Sequence, residues 1–412
     1  MTTVADQTSI TDPEVLKCPF TYYDHVRERS PAHFDEKGAF YVITRFDDVK
    51  RVLMDPTTFQ SLHRRGSERA QAAVNRAIYE DGGWDPGPSL PSLNAPVHTD
   101  MRRVFERAFR ASKIKELDSL IKEEAYELAS GLLSRGGCEV VNDFAAPFTQ
   151  RILAFQLGVP RTDLPLIKKW TLAVVGRLSG LLSPAEEEAS VRTEVEAQRY
   201  FKVIIDRVRA QPDGSIISDL VNTPMSTGEL LTDNQLMGSI MLDLFVAGSE
   251  TTMNAITAGT LRLIQDPATC AAVNEDREVA LRSFAEEVVR LDSPVQGLFR
   301  IASQDTELSG VAIPEGSILM VRYAAANRDP RRFNCPGNVD LGRQPAAAHL
   351  GFGSGVHHCL GAPLARRELY WAFSAILDLW KEMRLDRQVA DSDWQPHLIL
   401  RSLPELHVKF RR

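Results

Sequence analysis

Cysteine is scarce in this sequence, and no two cysteines stand in a C-x-x-C pair. The scarcity argues against a disulfide framework, and the missing pairs argue against a structural zinc site. Unpaired thiols suit a reducing compartment, so we predict a cytoplasmic protein. The five cysteines are Cys18, Cys138, Cys270, Cys335 and Cys359.

Long apolar runs are missing as well. A membrane-spanning helix needs roughly 18 apolar residues, whereas the best stretch, SIMLDLFVAG, is short and contains Asp243. The first residues, MTTVADQTSITDPEV, are polar and acidic and do not follow the basic-then-apolar order of a signal peptide. We therefore expect an untethered protein with no membrane partner.

The chain has no Ser/Gly-rich linker, no low-complexity tract and no internal repeat at which it could be divided. Its hydrophobic content of 43% is ordinary for a globular protein and sufficient for a large core. We predict one domain over residues 1–412, with a β-containing part to about residue 95 and a helical core from about residue 96 onwards.

Basic residues do not exceed acidic ones, since 48 Lys and Arg stand against 55 Asp and Glu. The resulting net charge of −7 makes a nucleic acid an unexpected partner. The stretch MRRVFERAFRASKIK, residues 101–115, departs from this balance with six basic residues and one acidic residue. The ordinary interpretation of such a run is a solvated helix face.

The hydrophobic periodicity predicts a mainly helical protein with small sheets at one side. AFYVITRF alternates like a strand, and TELSG, VAIP and SILMVRY form short strands between glycines and prolines. One helix begins at the capping box Thr232-Asp233-Asn234-Gln235 and ends near Asp266, about 33 residues later. Because this helix is mostly apolar all round, we expect it to be buried.

A cysteine stands in the glycine-rich stretch FGSGVHHCLG, residues 352–361, directly before a predicted helix. A thiolate binds metals and attacks carbonyls, and the amides at a helix N-terminus favour an anion. Gly353, Gly355 and Gly361 would let the backbone turn tightly around a flat ligand. The alternative is that Cys359 is a small buried apolar residue.

Two further motifs are weak on their own. AGSETT, residues 247–252, combines small side chains with an adjacent acid and alcohol, Glu250 and Thr251. A mid-helix Ser or Thr also commonly bonds back to the i−4 carbonyl. Glu287 and Arg290 are three residues apart and share a helix face, as in many surface ion pairs.

Together, in this order, the three motifs resemble those of the cytochrome P-450 superfamily. FGSGVHHCLG is similar to its haem-binding loop, F-G-x-G-x-H-x-C-x-G, AGSETT to its oxygen-activating segment, and Glu287–Arg290 to its E-x-x-R. APVHTDMRR and AANRDPRRF extend the resemblance over essentially the whole chain. The resemblance to the bacterial branch implies a helix-rich triangular prism with small β-sheets at one side, haem b as cofactor, and a monooxygenase.

The resemblance also implies roles for individual residues. Cys359 would be the axial thiolate of the haem iron, and Phe352 would pack beside it. Thr251 would hydrogen-bond dioxygen and Glu250 would relay protons, with Ala247 and Gly248 lining the same side. Glu287 and Arg290 would be structural. The haem carboxylates would be bound by His98, Arg102, Arg300 and His357.

The sequence departs from the family at one point. The family often has an Arg-Phe pair whose arginine joins the glutamate–arginine pair, but the corresponding segment, PGNVDLGR, has Asn338 and Val339. This leaves the three-membered network in doubt, and another residue would have to replace the missing arginine.

By resemblance, mostly apolar regions form the substrate pocket, which suits a small hydrophobic substrate. These regions are the loop around 78–94, the helix around 172–182, and segments containing Asp243, Leu244, Val295, Gln296, Leu298 and Ile399. Asp243 would meet a hydroxyl or an amine of the substrate. The alternative, which we favour, is an ion pair with a basic residue of a neighbouring helix. Gln296 is a second polar candidate.

The expected reaction is hydroxylation or O-demethylation with O2, by a monomer that receives electrons from NAD(P)H through a ferredoxin reductase and a ferredoxin. Positive charge at Arg102, Arg103, Arg107 and Arg110 would steer the acidic ferredoxin. Two other classes stay open: a haem protein that does not oxidise substrate, and a haem-free cysteine hydrolase that uses Cys359 with His357 or His358.

Overall fold

The computed structural model describes residues 8–62, 76, 78, 80–85, 88–179, 181–346 and 348–411. The chain forms two compact units. The sheet unit comprises Met1–Ser61, Ala125–Ala145 and Thr251–Arg412, and the helical unit comprises Leu62–Glu124 and Ala146–Glu250. The division into a β-containing part and a helical core near residue 95 stays a prediction.

The described residues of the sheet unit form three small sheets. The largest has the strand order β1-β2-β8-β5-β3, and all its pairs are antiparallel except β2 with β8. The other two have the orders β4-β10-β9 and β6-β7. The strands are β1 (Ala32–Asp35), β2 (Phe40–Ile43), β3 (Phe59–Ser61), β4 (Gly137–Glu139), β5 (Leu298–Ala302), β6 (Thr306–Leu308), β7 (Val311–Ile313), β8 (Ile318–Val321), β9 (Lys381–Leu385) and β10 (His407–Arg411).

The helices begin and end close to the predicted turn signals. The predicted helix around 172–182 ends earlier, at Leu178. Helices α1–α7 are Pro13–Lys17, Phe20–Arg29, Phe46–Met54, Val97–Ala108, Ala111–Gly131, Ala146–Gln156 and Leu164–Leu178. Helices α8–α15 are Pro184–Ala210, Ile216–Asn222, Asp233–Gly238, Thr251–Gln265, Pro267–Glu275, Arg277–Asp292, Tyr323–Ala326 and Ala362–Leu379.

The helical unit is held by an aromatic cluster. Trp170 of α7 lies with its ring 6.0 Å from Phe201 of α8, and Phe201 lies 5.3 Å from Phe245. All three side chains are buried, so they tie α7 and α8 to the segment that carries Phe245. Edge-on ring pairs of this kind add stability beyond their buried area.

The predicted long helix is confirmed as consecutive helical segments. Thr232 accepts a hydrogen bond from the Gln235 amide, and the reciprocal bond completes the predicted capping box. Helix α10 continues into a stretch with wider, π-type hydrogen bonding, Ser239–Glu250, and then into α11. Such widened turns are often found at functional sites, and this one ends directly before Thr251.

Within the sheet unit, α11 packs closely on α15 at a glycine. A Cβ atom at Gly259 would lie 2.3 Å from Cζ of Phe373, so only a glycine fits. Phe373 in turn packs edge-on against Phe284 of α13, with 5.1 Å between the ring centroids. This contact sets the spacing between α11 and α15.

Candidate active site

Cys359 lies on the predicted loop, three residues before α15 begins at Ala362. The loop folds back on itself, because the Cys359 amide donates to the Phe352 carbonyl at 2.8 Å and the His358 amide donates to that of Gly355 at 3.0 Å. The Cys359 side chain is exposed, which excludes the alternative of a small buried apolar residue.

Two of the three predicted loop glycines take backbone conformations that favour glycine. Gly353 and Gly355 both have φ of 68°. A Cβ at Gly355 would also lie 2.4 Å from the carbonyl oxygen of Leu53. Gly361 differs from the expectation: its φ is −79°, so the turn does not require a glycine there.

Behind the loop, a buried carboxylate connects α13 to α15. Glu286 accepts hydrogen bonds from Arg366 at 2.6 and 3.0 Å, and lies 3.1 Å from Nε2 of His349. The Arg366 guanidinium lies 4.6 Å from the centroid of the Phe352 ring. Burial alone would raise the pKa of Glu286, but the hydrogen bonds from His349 and Arg366 outweigh it and lower the pKa to about 2. Glu286 therefore positions the side chains that support the cysteine loop.

The predicted pair of Glu287 and Arg290 is present and fully buried, with bonds of 2.7 and 2.8 Å. Arg290 also donates to the backbone carbonyl of Asn338 at 2.9 Å. The family arginine that is absent at Asn338 is replaced by Arg343, five residues later in the chain. Nε of Arg343 donates to Glu287 at 3.0 Å. Burial opposes ionisation of Glu287, yet Arg290 leads the contacts that keep its pKa below the usual range. The three-membered network is thus intact.

The sequence reasoning missed both Arg343 and Glu286, although each had a signal. Arg343 is the sole arginine or lysine between Pro336 and Leu350. Glu286 directly precedes the glutamate of the E-x-x-R motif. Its role could have been predicted only together with that of its distant partner, Arg366.

A second buried acid lies beside α11. Glu368 of α15 is 1% exposed, and burial raises its pKa to about 8 against an opposing hydrogen bond from Thr252. Glu368 was not predicted from the sequence. The signal is that Glu368 lies four residues after Leu364 and four before Ala372, both buried on the same helix face.

The sheet unit also presents two of the predicted partners of a haem carboxylate. Arg300 of β5 is 3% exposed and donates to the Phe299 carbonyl at 2.8 Å. It forms no salt bridge with a carboxylate of the described residues, so its buried charge suits an acidic ligand. Nε2 of His357 lies 3.0 Å from the hydroxyl of Ser61, which neighbours Arg300 across the sheet.

In the helical unit, the predicted oxygen-side residues follow one another at the end of the π-type stretch. Ala247 is exposed, and Gly248 and Glu250 are half-buried. Ser249 donates to the Phe245 carbonyl at 2.7 Å, which is the back-bonding expected of a mid-helix serine. Of the other two predicted haem partners, His98 is buried and Arg102 donates to Glu106 at 2.9 Å.

Asp243 pairs with the backbone, and no basic residue in the described part of the chain forms a salt bridge with it. Its Oδ2 accepts from the Leu90 amide at 3.0 Å, and its buried Oδ1 has no hydrogen-bond partner within the described residues. Burial raises the pKa of Asp243 to about 7, opposed by the Leu90 amide and by Ser239. The favoured alternative, an ion pair with a basic residue, is not found within the described residues and stays a prediction. The adjacent Leu244 is buried.

The side-chain amide of Gln296 forms its hydrogen bonds within the protein. Its amide nitrogen donates to the carbonyls of Asp292 and Ser293 at 2.9 and 2.7 Å, and its oxygen accepts from Tyr23 at 3.3 Å. This geometry favours a structural role at the end of α13. Val295, Leu298 and Ile399 are half-buried. Residues 79, 86, 87 and 180 of the predicted pocket regions lie outside the described residues.

The basic stretch is partly neutralised. Arg102 pairs with Glu106, Arg103 lies 3.6 Å from Asp100, and Arg110 lies 3.4 Å from Asp219. Arg107 is exposed and forms no salt bridge with a described carboxylate. The local excess of positive charge is therefore smaller than the sequence suggested.

The chemistry that the sheet unit supports is ligation of a metal cofactor by one thiolate, because the exposed Cys359 stands just before a helix N-terminus on a braced loop. A buried arginine suited to an acidic group and the adjacent acid and alcohol, Glu250 and Thr251, are typical of haem-thiolate proteins.

Comparison with known proteins gives the same class. The family described as Cytochrome P450 matches residues 178–409. "Cytochrome P450 109" of Bacillus spizizenii is 33% identical over 364 residues, which cover 88% of this chain and 84% of the relative. "Cytochrome P450 monooxygenase PikC" of Streptomyces venezuelae is 30% identical over 402 residues, covering 96% and 91%.

Solved structures agree. P450BioI in complex with an acylated acyl carrier protein has a TM-score of 0.85 and 27% identity, covering 97% of this chain and 100% of that one. CYP109E1 from Bacillus megaterium in complex with testosterone has a TM-score of 0.81 and 28% identity, covering 96% and 99%.

The chain belongs to the cytochrome P450 family and has its fold. It is a cytochrome P450 monooxygenase, with haem as cofactor and with a substrate, O2 and a redox partner as reactants. The residues of the sheet unit fit haem, since Cys359 is exposed and Arg300 is a buried cation with no salt bridge to any described carboxylate. None of the described helices combines the length and apolar character that crossing a membrane requires.

Proposed function

We propose that this enzyme inserts one oxygen atom of O2 into a small hydrophobic organic substrate, by hydroxylation or O-demethylation. Electrons come from NAD(P)H through a ferredoxin reductase and a ferredoxin. The exposed thiol of Cys359 on its braced loop carries the proposal. The cytoplasmic location and the monomeric state stay predictions of the sequence.

Cys359 would hold the haem iron through its thiolate in this proposal, and Phe352, whose ring Arg366 covers, would pack beside the haem. Arg300 and His357 bind haem carboxylate groups from the sheet unit. His98 and Arg102 have the same role in the helical unit, an assignment that rests on the family resemblance. When bound, haem supplies the iron that binds and activates O2.

Glu250 and Thr251 deliver protons in this proposal. The Glu250 carboxyl takes a proton from solvent and donates it to the Thr251 hydroxyl. The Thr251 hydroxyl then donates a proton towards the bound O2. Both are half-buried, which lets them exchange protons with solvent while remaining fixed by the helix. Ala247 and Gly248 leave room beside them because their side chains are small.

By the family resemblance, the substrate contacts are Val295, Leu298 and Ile399 in the sheet unit, and Leu244 and Asp243 in the helical unit. A hydrophobic substrate suits the apolar residues, and a hydroxyl or amine suits Asp243, because its buried Oδ1 lacks a hydrogen-bond partner in the described residues. Two relatives are consistent with a hydrophobic organic substrate: CYP109E1 was solved with testosterone, and another relative is a vitamin D(3) 25-hydroxylase.

Asp243 can be tested with substrate-binding spectra. We expect Asp243→Asn to bind an alcohol-bearing substrate about tenfold more weakly, the loss of one good hydrogen bond, and to bind its deoxy analogue unchanged. Equal weakening of the binding of both compounds would contradict a substrate contact and would mean that Asp243 only stabilises the loop at Leu90.

The ferredoxin docks on the exposed face of α4 and on the turn that follows it, at Arg102, Arg103, Arg107 and Arg110. Arg107 is the strongest contributor because its charge has no described carboxylate partner. Arg107→Glu should lower the rate at which ferredoxin reduces the enzyme, and this rate should depend less on salt concentration than in the parent. Dithionite reduction, which needs no docking, is the control and should not change.

The carbon-monoxide difference spectrum of the reduced protein tests the central assignment. Cys359→Ala should lose the Soret band typical of thiolate ligation. Cys335→Ala is the matched control, because Cys335 is also exposed, and it should keep the band. A Cys359→Ala spectrum like that of the parent would refute the assignment. NADH consumption coupled to product separates an oxygenase from a haem protein that does not oxidise substrate.

A further inference from the structure

A small cavity of ≈ 170 Å³ lies in the sheet unit, lined by none of the residues assigned above to haem or substrate. Its polar lining consists mainly of Arg262, Asp292, Arg328, Asp391 and Arg401, and Trp394 contributes a ring. A water molecule occupies about 30 Å³ of liquid volume, so the cavity has room for a small polyatomic ion.

The charges in this lining do not balance. Three arginines face two aspartates, and Asp292 is taken by Arg262 through bonds of 2.5 and 2.8 Å. Neither Arg328 nor Arg401 forms a salt bridge within the described part of the chain. Burial lowers the pKa of Arg328 to about 9 and also lowers that of Arg401. Both guanidinium groups stay charged at neutral pH, so the positive excess persists.

Stacking fixes the planes of the two arginines. The Arg328 guanidinium lies 3.5 Å from the centroid of Phe20, and that of Arg401 lies 3.7 Å from the centroid of Trp394. With its faces covered by rings, a guanidinium can take a further ligand through its in-plane N–H groups. The position of these donors is therefore set before any ligand arrives.

Several of these donors are already used. Arg328 donates through Nε and Nη2 to the Leu291 carbonyl, and Arg401 donates through Nη1 to the Lys17 carbonyl. Nε of Arg401 is buried and has no acceptor among the described residues, and the whole residue is only 8% exposed. A buried charged donor without an acceptor is costly, and an anion would remove this cost.

We propose that the cavity binds one small oxyanion, a carboxylate or a phosphate, through Arg401 and Arg328. The anion balances the charge of the cluster and accepts the hydrogen bond of the Arg401 Nε. Because Arg262 lies in α11 and Asp292 ends α13, occupancy stabilises the junction of these helices.

Thermal unfolding of the haem-loaded protein tests the site. Circular dichroism at pH 7 is followed in sodium phosphate, in sodium acetate and in sodium chloride at equal ionic strength. We expect phosphate, acetate or both to raise the Tm above the chloride value by at least about 2 °C. The two arms distinguish a phosphate site from a carboxylate site. No difference from chloride in either arm overturns the proposal.

Two variants make the test specific. Arg401→Gln should abolish the anion-dependent rise, and Arg411→Gln, at an exposed arginine, should retain it. An undiminished rise in Arg401→Gln overturns the proposal. If Arg401→Gln does not fold, anomalous diffraction from a crystal of the parent soaked in selenate tests whether the cavity binds an oxyanion. An anomalous peak within hydrogen-bonding distance of Arg401 supports the site, and its absence overturns it.

Discussion

Replacing Glu286 by glutamine would remove the charge that connects α13 to α15 while keeping the shape of the side chain. The carboxylate is 7% exposed and holds Arg366 and His349. Its pKa is lowered to about 2 in the folded protein, compared with an ordinary value of 4.5. A difference of about two and a half units corresponds to about 3 kcal/mol of folding stability at neutral pH. Glu286→Gln should lose about that amount.

The assay is urea unfolding at pH 7, followed by circular dichroism and by Soret absorbance. Glu278→Gln is the matched control, because Glu278 lies on the same helix with a side chain that is 71% exposed and pairs with Arg282. We expect the control to lose less than about 0.5 kcal/mol. Because Arg366 packs over Phe352, Glu286→Gln should also weaken the thiolate-type Soret band after carbon monoxide is added.

The pH dependence gives an independent check on Glu286. A lowered pKa contributes stability that is complete above the unfolded-state value of 4.5 and is lost as the pH falls towards 2. The stability difference between parent and Glu286→Gln should therefore be constant from about pH 7 to 5.5 and shrink below about pH 4.5. A difference no larger than that of Glu278→Gln, or one that grows in acid, would refute the reasoning.

Three further changes have defined outcomes. Arg343→Met should cost about 1.5–3 kcal/mol in urea unfolding, since Glu287 loses one charged donor; a neutral result would show that Arg290 suffices. Glu368→Gln should gain stability over the parent by about 1.4 kcal/mol per pH unit between pH 5 and 8, because a raised pKa makes the folded parent lose stability as the pH rises; parallel pH profiles would contradict this. Gly355→Ala should cost about 2–4 kcal/mol in thermal unfolding, from its positive φ and the backbone contact. Gly337→Ala, where a Cβ meets nothing within 4 Å, should cost little, and equal losses would remove the argument.

The sequence predicted the features that are local in the chain. The long helix with its capping box, the cysteine ahead of α15 and the Glu287–Arg290 pair each depend on residues a few positions apart. Periodicity and capping indicate the helix, and the family motifs indicate the cysteine and the ion pair. The family motifs added the class of cofactor, which spacing alone left open.

Features that depend on distant partners were not predicted. Glu286 meets Arg366 across 80 positions of sequence, and the partner of Asp243 is a backbone amide 153 positions away. Arg343 replaces the family arginine because Glu287 needs a guanidinium at a point in space, and the chain can supply it from more than one position. Periodicity and motif spacing carry no information about such contacts.

The contact between Gly259 and Phe373 has a consequence for the reach of the catalytic groups. Thr251 lies two turns, or about 12 Å, before Gly259 on the same helix, and Phe373 belongs to the helix that follows Cys359. Since one hydrogen atom in place of a methyl group determines how near the two helices come, a residue far from Thr251 and Cys359 sets the spacing of the helices beside them. Enlarging position 259 would push against Phe373 and displace α15 relative to α11, so we expect a distant substitution to shift the positions of both side chains.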